Sequence, residues 1–210
     1  MFIYDLRDVL YLISYADFTV VDLGDSEYMY SRPETYHDLS AYRTLPISGA
    51  QNNCFFMAAF VSATIRQEPL GGDASWATAI VSGCLPENLE EEGLRVRNAV
   101  VRFLQANQTQ LVPGGGKLTW EKLYDEWYGK EKGRTYAQHV DGMSKSGVWG
   151  TSFEQRVLWA MGHKLTVATG EDKHRLKLNQ QTTEFVPLAP TDPVLWHRAG
   201  CHFDVLTAPR

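Results

Sequence analysis

The apolar residues of this chain change their spacing along its length, and that change predicts the architecture. Residues 6–15 carry Leu6, Val9, Leu10 and Ile13 at the spacing of a short amphipathic helix, and "DFTVVDL" then reads as a strand. A polar, irregular stretch, "DLGDSEYMYSRPETYHDLS", follows. "AYRTLPI" runs extended into the turn-forming "SGAQNN". The next segment, "CFFMAAFVSATI", is apolar nearly all round, which predicts a helix buried on every side. "GGDASWATAIVSGCLPEN" is a helix or loop with several breakers.

"NLEEEGLRVRNAVVRFLQAN" predicts a long helix. Asn88 stands at its cap, and Glu90, Glu91 and Glu92 fall in the first turn, where the helix dipole favours negative charge. Its apolar face runs through Val96, Val100, Phe103 and Leu104. "LTWEKLYDEWYG" and "TYAQHVDGM" predict two shorter helices. In "SGVWGTSFEQRVLWAMG", Thr151 and Glu154 match a capping box, so a helix begins at Thr151 and stops at Gly162. The period then drops to two. "KLTVAT", "HRLKLN" and "TTEFVPL" read as strands, and "PVLWHRAGCHFDVLTA" as strand–turn–strand. Helices first and strands last predict an α+β fold rather than alternating βαβ units.

The 210 residues are 44% hydrophobic, enough for one sizeable core, so a single domain over residues 1–210 is expected. Net charge is −5, with no stripe of Lys and Arg, which argues against a nucleic-acid partner. Asp5, Arg7 and Asp8 interrupt the N-terminal apolar residues too early for a signal segment, and no run approaches the ~20 apolar residues of a membrane span. Cys54, Cys84 and Cys201 are widely spaced and contain no C-x-x-C pair, so no structural zinc site is expected. His197, Cys201 and His202 look like half a zinc site, but no second ligand pair accompanies them. Free thiols suit a reducing compartment, and a cytoplasmic location is expected.

Cys54 raises a question of chemistry. It stands at the mouth of the apolar helix, after a polar turn, where a thiol can meet solvent and unpaired backbone N–H groups. It is either a small buried residue that begins a helix or a nucleophile. A nucleophilic thiolate is favoured by a helix N-terminus and by a neighbouring imidazole. "HFD" supplies one: His202 and Asp204 are two apart, on the same side of a strand, so Asp204 can orient the ring. Cys201, beside His202, should face away and serve structure; Cys84 reads as a packed or half-buried thiol. His37, His139, His163 and His174 lie in polar contexts that predict the surface.

Three blocks, in order, resemble the ovarian-tumour (OTU) family of deubiquitinating cysteine proteases. "GAQNNCFFMAAF" shares the family's N-C-x-F and following helix; "YAQHVDGMSKSGVWGTSFEQRVLWAMGHKLTVAT" has its W-G and later Glu as Trp149, Gly150 and Glu154; and "VLWHRAGCHFDVL" resembles its closing H-[YF]-[DN]-x-[VL] block. The resemblance spans about residues 41–207, leaving residues 1–40 as an N-terminal extension packed on the domain, and is nearest to viral members or those of an intracellular bacterium. It implies a papain-like fold with a small, mostly antiparallel sheet flanked by helices. It implies hydrolysis of the (iso)peptide bond after the C-terminal Gly-Gly of ubiquitin or a ubiquitin-like protein, without a cofactor.

By this resemblance Cys54 is the nucleophile, His202 the general base and Asp204 the third member. Gln51, Asn52 and Asn53 form the oxyanion loop, and Trp149, Gly150 and Trp196 border the channel for the Gly-Gly tail, Trp196 being equally a core candidate. A ubiquitin-binding pseudoprotease and a viral polyprotein-processing protease are the alternatives. For Glu90, Glu91 and Glu92, the first turn of a helix is the leading reading and contact with ubiquitin's basic C-terminal tail a secondary one. One departure stands out: the family's Asp-Gly before Asn-Cys is Gln51-Asn52 here. Gln can donate through its side-chain amide, and Asn tolerates positive φ best among residues that replace Gly.

Overall fold

The computed structural model describes residues 36–49, 52–129, 133–145, 148–180, 189, 191–198 and 202–209. The helix expected at residues 6–15 and the strands expected at 17–23 and 182–188 lie outside them, as do Gln51 and Cys201.

Helix α1 (Cys54–Ile65) begins at the cysteine, and every residue from Cys54 to Thr64 is buried. A helix with no polar face must be covered all round. Helices α2 (Ala74–Ser82) and α3 (Leu89–Asn107) and strand β6 (His202–Thr207) do this. Asp73 caps α2 by accepting from the Ser75 and Trp76 N–H groups, so the uncertain "GGDASWATAIVSG" stretch resolves as a helix. α3 turns Leu89, Gly93, Val96, Arg97, Val100, Val101 and Leu104 inward. A Cβ on Gly93 would lie 2.5 Å from Met57 Cγ, so the missing side chain is what lets α3 press on α1. Asn88 occupies the cap position but does not cap; its Nδ2 donates to Glu92 Oε1 at 3.4 Å instead.

Helix α4 (Trp120–Leu123) passes into one π-helical turn, Tyr124–Gly129. Helix α5 (Tyr136–Ser144) carries a capping box from Thr135 and Gln138. Helix α6 (Ser152–Ala160) carries the one expected from Thr151 and Glu154. No helix among the described residues is long and apolar enough to cross a membrane.

Among the described residues, six strands form one sheet: β1 (Tyr36–His37), β2 (Arg43–Leu45), β3 (Thr166–Thr169), β4 (Leu176–Gln180), β5 (Val194–Arg198) and β6, in the order β1-β4-β3-β5-β6-β2. Only β3 and β5 run parallel; the other pairs are antiparallel. This is the α+β, papain-like arrangement expected, with a mixed sheet. Along β6 the side chains alternate. Phe203 and Val205 join the main core with α1, α3 and the aromatic residues Trp120, Tyr124 and Phe153. Leu206 joins a smaller core with Leu39, Ala168, Leu176, Val194 and Trp196. Burying Phe55, Phe56 and Phe60 in the main core contributes about 1.5–3 kcal/mol each. Deep burial at α1 therefore holds the nucleophile candidate in place.

Candidate active site

Two chain segments build the site. The first leads into α1. Asn52 adopts φ 57°, the left-handed conformation that a Gly would take most easily and that Asn tolerates. Asn53 stands at the cap of α1, but its side chain makes no capping bond, and its Oδ1 is buried with no donor among the described residues. Cys54 then opens the helix. It is 0% exposed, so it does not meet solvent as its polar neighbours suggest. Burial pushes its thiol pKa up; the N–H groups of Phe203, Phe55 and Cys54 itself pull it down, and the Asp204 charge raises it again. The expected helix-terminus effect is present, but desolvation is larger. The net direction is up, which favours the neutral thiol.

The second segment is the β5–β6 hairpin. Trp196 pairs with Asp204 and Arg198 with His202. The spacing that puts His202 and Asp204 on one face has the expected result: His202 Nε2 lies 3.0 Å from Asp204 Oδ1. The same oxygen accepts the Ile47 N–H at 3.0 Å, and Arg198 Nη1 donates to Oδ2 at 3.3 Å. Asp204 is buried while the His202 side chain is 30% exposed, so the carboxylate fixes a ring that still reaches the surface. A Cβ on Gly49 would sit 3.7 Å from His202 Nδ1, so the ring's other nitrogen faces the segment that leads to Cys54.

Three contacts join the segments. The peptide between His202 and Phe203 gives its N–H to the Cys54 sulfur. The rings of Phe55 and Phe203, next in sequence to Cys54 and His202, meet edge to face at 5.1 Å. Asp204 grips the backbone of Ile47, on the way from β2 to α1. His197 stacks on Phe203 at 4.5 Å, and burial lowers its pKa.

Trp149 is 37% exposed, at the surface of the corner that precedes α6. Gly150 lies against Phe55 so closely that a Cβ would enter the ring. Its bareness lets the corner support the residue after Cys54. Trp196 is buried in the smaller core, donates its Nε1–H to the Gly170 carbonyl at 2.8 Å and carries Arg198 over its face at 5.0 Å. Cys84 is exposed rather than packed, because it follows the glycine that ends α2.

The polar contexts of His139 and His163 mislead. Both are buried, His139 at 2.6 Å from Glu154 Oε1 and His163 at 3.2 Å from Glu68 Oε2. Their acidic partners are distant in sequence, so the local pattern hides them. Glu154 is wholly buried; its Oε2 accepts the N–H and the hydroxyl of Thr151, each at 2.7 Å. Burial pushes its pKa up, but His139 and Thr151 more than offset this and the net direction is down. A folded pKa below the unfolded one means the carboxylate stabilises the fold above the ordinary carboxylate range, and the gain is lost as acid protonates it. Glu154→Gln is therefore expected to cost about 1.5–3 kcal/mol at neutral pH, the scale of hydrogen bonds to a buried charged group. Urea midpoints at neutral and acid pH test this: the deficit should narrow as the pH falls.

Sequence reasoning also passed over Arg97 and Arg198. Arg97 had a readable signal: it lies on the inward stripe Gly93, Arg97, Val100, Leu104, where a charge is out of place. It is 1% exposed. Arg198, which holds Asp204, had none, because its role arises from strand register.

No family model and no curated protein matches this sequence. Solved structures do match. The viral OTU domain protease of Taggert virus aligns at TM-score 0.51 over 84% of this chain and 90% of its own, with 12% identity. That of Dera Ghazi Khan virus aligns at 0.50 over 84% and 88%, with 16% identity. The Hazara virus OTU, solved bound to ubiquitin, aligns at 0.48 over 82% and 86%, with 14% identity. At such identities the likeness is one of fold. With Cys54 at the mouth of α1 and His202 and Asp204 on the closing strand, this chain has the fold of the viral OTU domain proteases.

Proposed function

We propose that this protein is a cysteine protease that cleaves the (iso)peptide bond after the C-terminal Gly-Gly of ubiquitin or a ubiquitin-like protein. The observation that carries the reading is the joined set: Cys54 on the Phe203 N–H, and His202 held through Nε2 by a buried Asp204. With Nε2 engaged, Nδ1 takes the thiol proton as Cys54 sulfur attacks the glycyl carbonyl. The tetrahedral intermediate carries its negative charge on the former carbonyl oxygen, beside the first-turn N–H groups of α1. Its collapse breaks the C–N bond, and His202 returns the proton to the departing amine. A thioester remains on Cys54. Water, deprotonated by His202, hydrolyses it and releases the carboxylate.

The substrate assignment rests on the sequence blocks together with the fold. The cytosol, in an infected host if the chain is viral, is its proposed place of action, in keeping with its free thiols. A second reading, binding without cleavage, draws on the fully buried Cys54 and the upward push on its thiol pKa. A ubiquitin probe with a C-terminal electrophile separates the two. Covalent capture at Cys54, lost in Cys54→Ala, is the expected result. Tight binding without an adduct would establish the second reading, and neither binding nor adduct would overturn the ubiquitin assignment.

A further inference from the structure

We propose that Arg97 is a positioning residue for the nucleophile: its guanidinium clamps the carbonyl of Asn52 and so sets the peptide ahead of Cys54. The inference rests on Cys54 acting as proposed, but its geometry is independent of the substrate. Arg97 Nη2 donates to the Asn52 carbonyl at 2.8 Å, and Nη1 donates to the Lys145 carbonyl at 3.2 Å. The guanidinium lies 4.8 Å from the centre of the Phe56 ring. Two forked bonds and a ring face fix its plane, which a point charge such as Lys cannot match.

The clamp acts where the backbone is under most constraint. Asn52 sits at φ 57°, a conformation that costs a non-Gly residue free energy and reverts unless something holds it. A trans peptide points its C=O and the next N–H in opposite directions. Holding the Asn52 oxygen toward α3 therefore turns the Asn53 N–H away from α3 and fixes its direction. That N–H immediately precedes the nucleophile, in the loop where an oxyanion forms. Arg97 is thus the link between α3 and the loop that the departure from Asp-Gly left without its glycine.

Charge gives a second reason for an arginine here. A buried cation is costly unless it is compensated. Burial lowers the guanidinium's pKa, and Glu154 and Cys54 both oppose the shift. A neutral residue could pack against Phe56, but only a planar fork with two donor arms serves both carbonyls.

The test uses Arg97→Lys, which keeps charge and loses the fork, with Arg97→Met as a second variant should the first not melt cooperatively. On a fluorogenic ubiquitin conjugate, kcat should fall about 10²-fold, the scale of a small misplacement of catalytic groups, while KM stays within about twofold. A merely structural arginine would leave the kcat of the folded variant alone. Amide hydrogen exchange over residues 52–55 should quicken in the same protein. A kcat within about threefold of wild type, or exchange indistinguishable from wild type, overturns the clamp. Should wild type fail to turn over ubiquitin at all, the proposed function falls by itself, and the exchange comparison alone decides Arg97.

Discussion

Cys54→Ala is expected to abolish hydrolysis of di-ubiquitin and leave the fold in place. The loss follows from the route. Without the sulfur there is no thioester, and the remaining groups can only position water; removing a protease nucleophile costs on the order of 10⁶ in kcat. The fold should survive because the change is small. Cys54 is buried, but its neighbours Phe55, Phe56 and Met57 keep α1 in the core, and the backbone bond from Met57 N–H to the Asn53 carbonyl is untouched. A shortened side chain at one core position costs about 1 kcal/mol, well within typical stability. Gel assays of chain cleavage, with thermal melts alongside, check both halves. Cys84→Ala and Cys201→Ala are the controls and should cleave normally; turnover by Cys54→Ala comparable to wild type would remove the nucleophile assignment.

The second large effect belongs to the imidazole and its holder. His202→Ala should lose about as much as Cys54→Ala, because a thiol whose pKa is raised by burial cannot ionise usefully without a base. The two losses should not add, since each disables the same unit. Asp204 requires a gentler substitution. Its Oδ1 serves the Ile47 N–H as well as His202, so Asp204→Ala would leave a buried donor unpaired and confuse catalysis with stability. Asp204→Asn keeps an acceptor and removes the charge. It should melt near wild type yet lose activity by up to about 10⁴, less than His202→Ala, because the acid orients the ring and transfers no proton. Full activity in Asp204→Asn would mean that another group holds the imidazole.

Much of this was legible because local rules and tertiary structure agree. The run from Cys54 to Ile65 is apolar on all sides, and the helix begins and ends with it. The Thr151–Glu154 capping box sets the start of α6, and the H-x-D spacing sets the His202–Asp204 bond. Most of the failures depend on partners that the local pattern does not show. His139 looks like a surface residue until Glu154 is placed beside it, and His163 until Glu68 is. Asn88 has the right identity for a cap, but its φ of −93° and ψ of 24° turn it to Glu92. Cys54 loses solvent in the core where β6 packs on α1, which no pattern within α1 reveals. Strand order is hidden likewise: β1 and β2, early in the chain, lie at opposite edges of a sheet whose middle comes from the end.

That strand order also governs timing. The Ile47 N–H and the Asp204 carboxylate meet across 157 positions of sequence, and β2 closes on β6 over a similar span. Contacts of such long range form late, because the chain must lose the entropy of closing a large loop before they bring any gain. α1 and α3 are near neighbours and can collapse early, before the proposed base is near Cys54. During synthesis the N-terminal portions emerge and fold first. Until β6 docks, Cys54 stands without the proposed base, so the proposed reactivity waits on that late pairing.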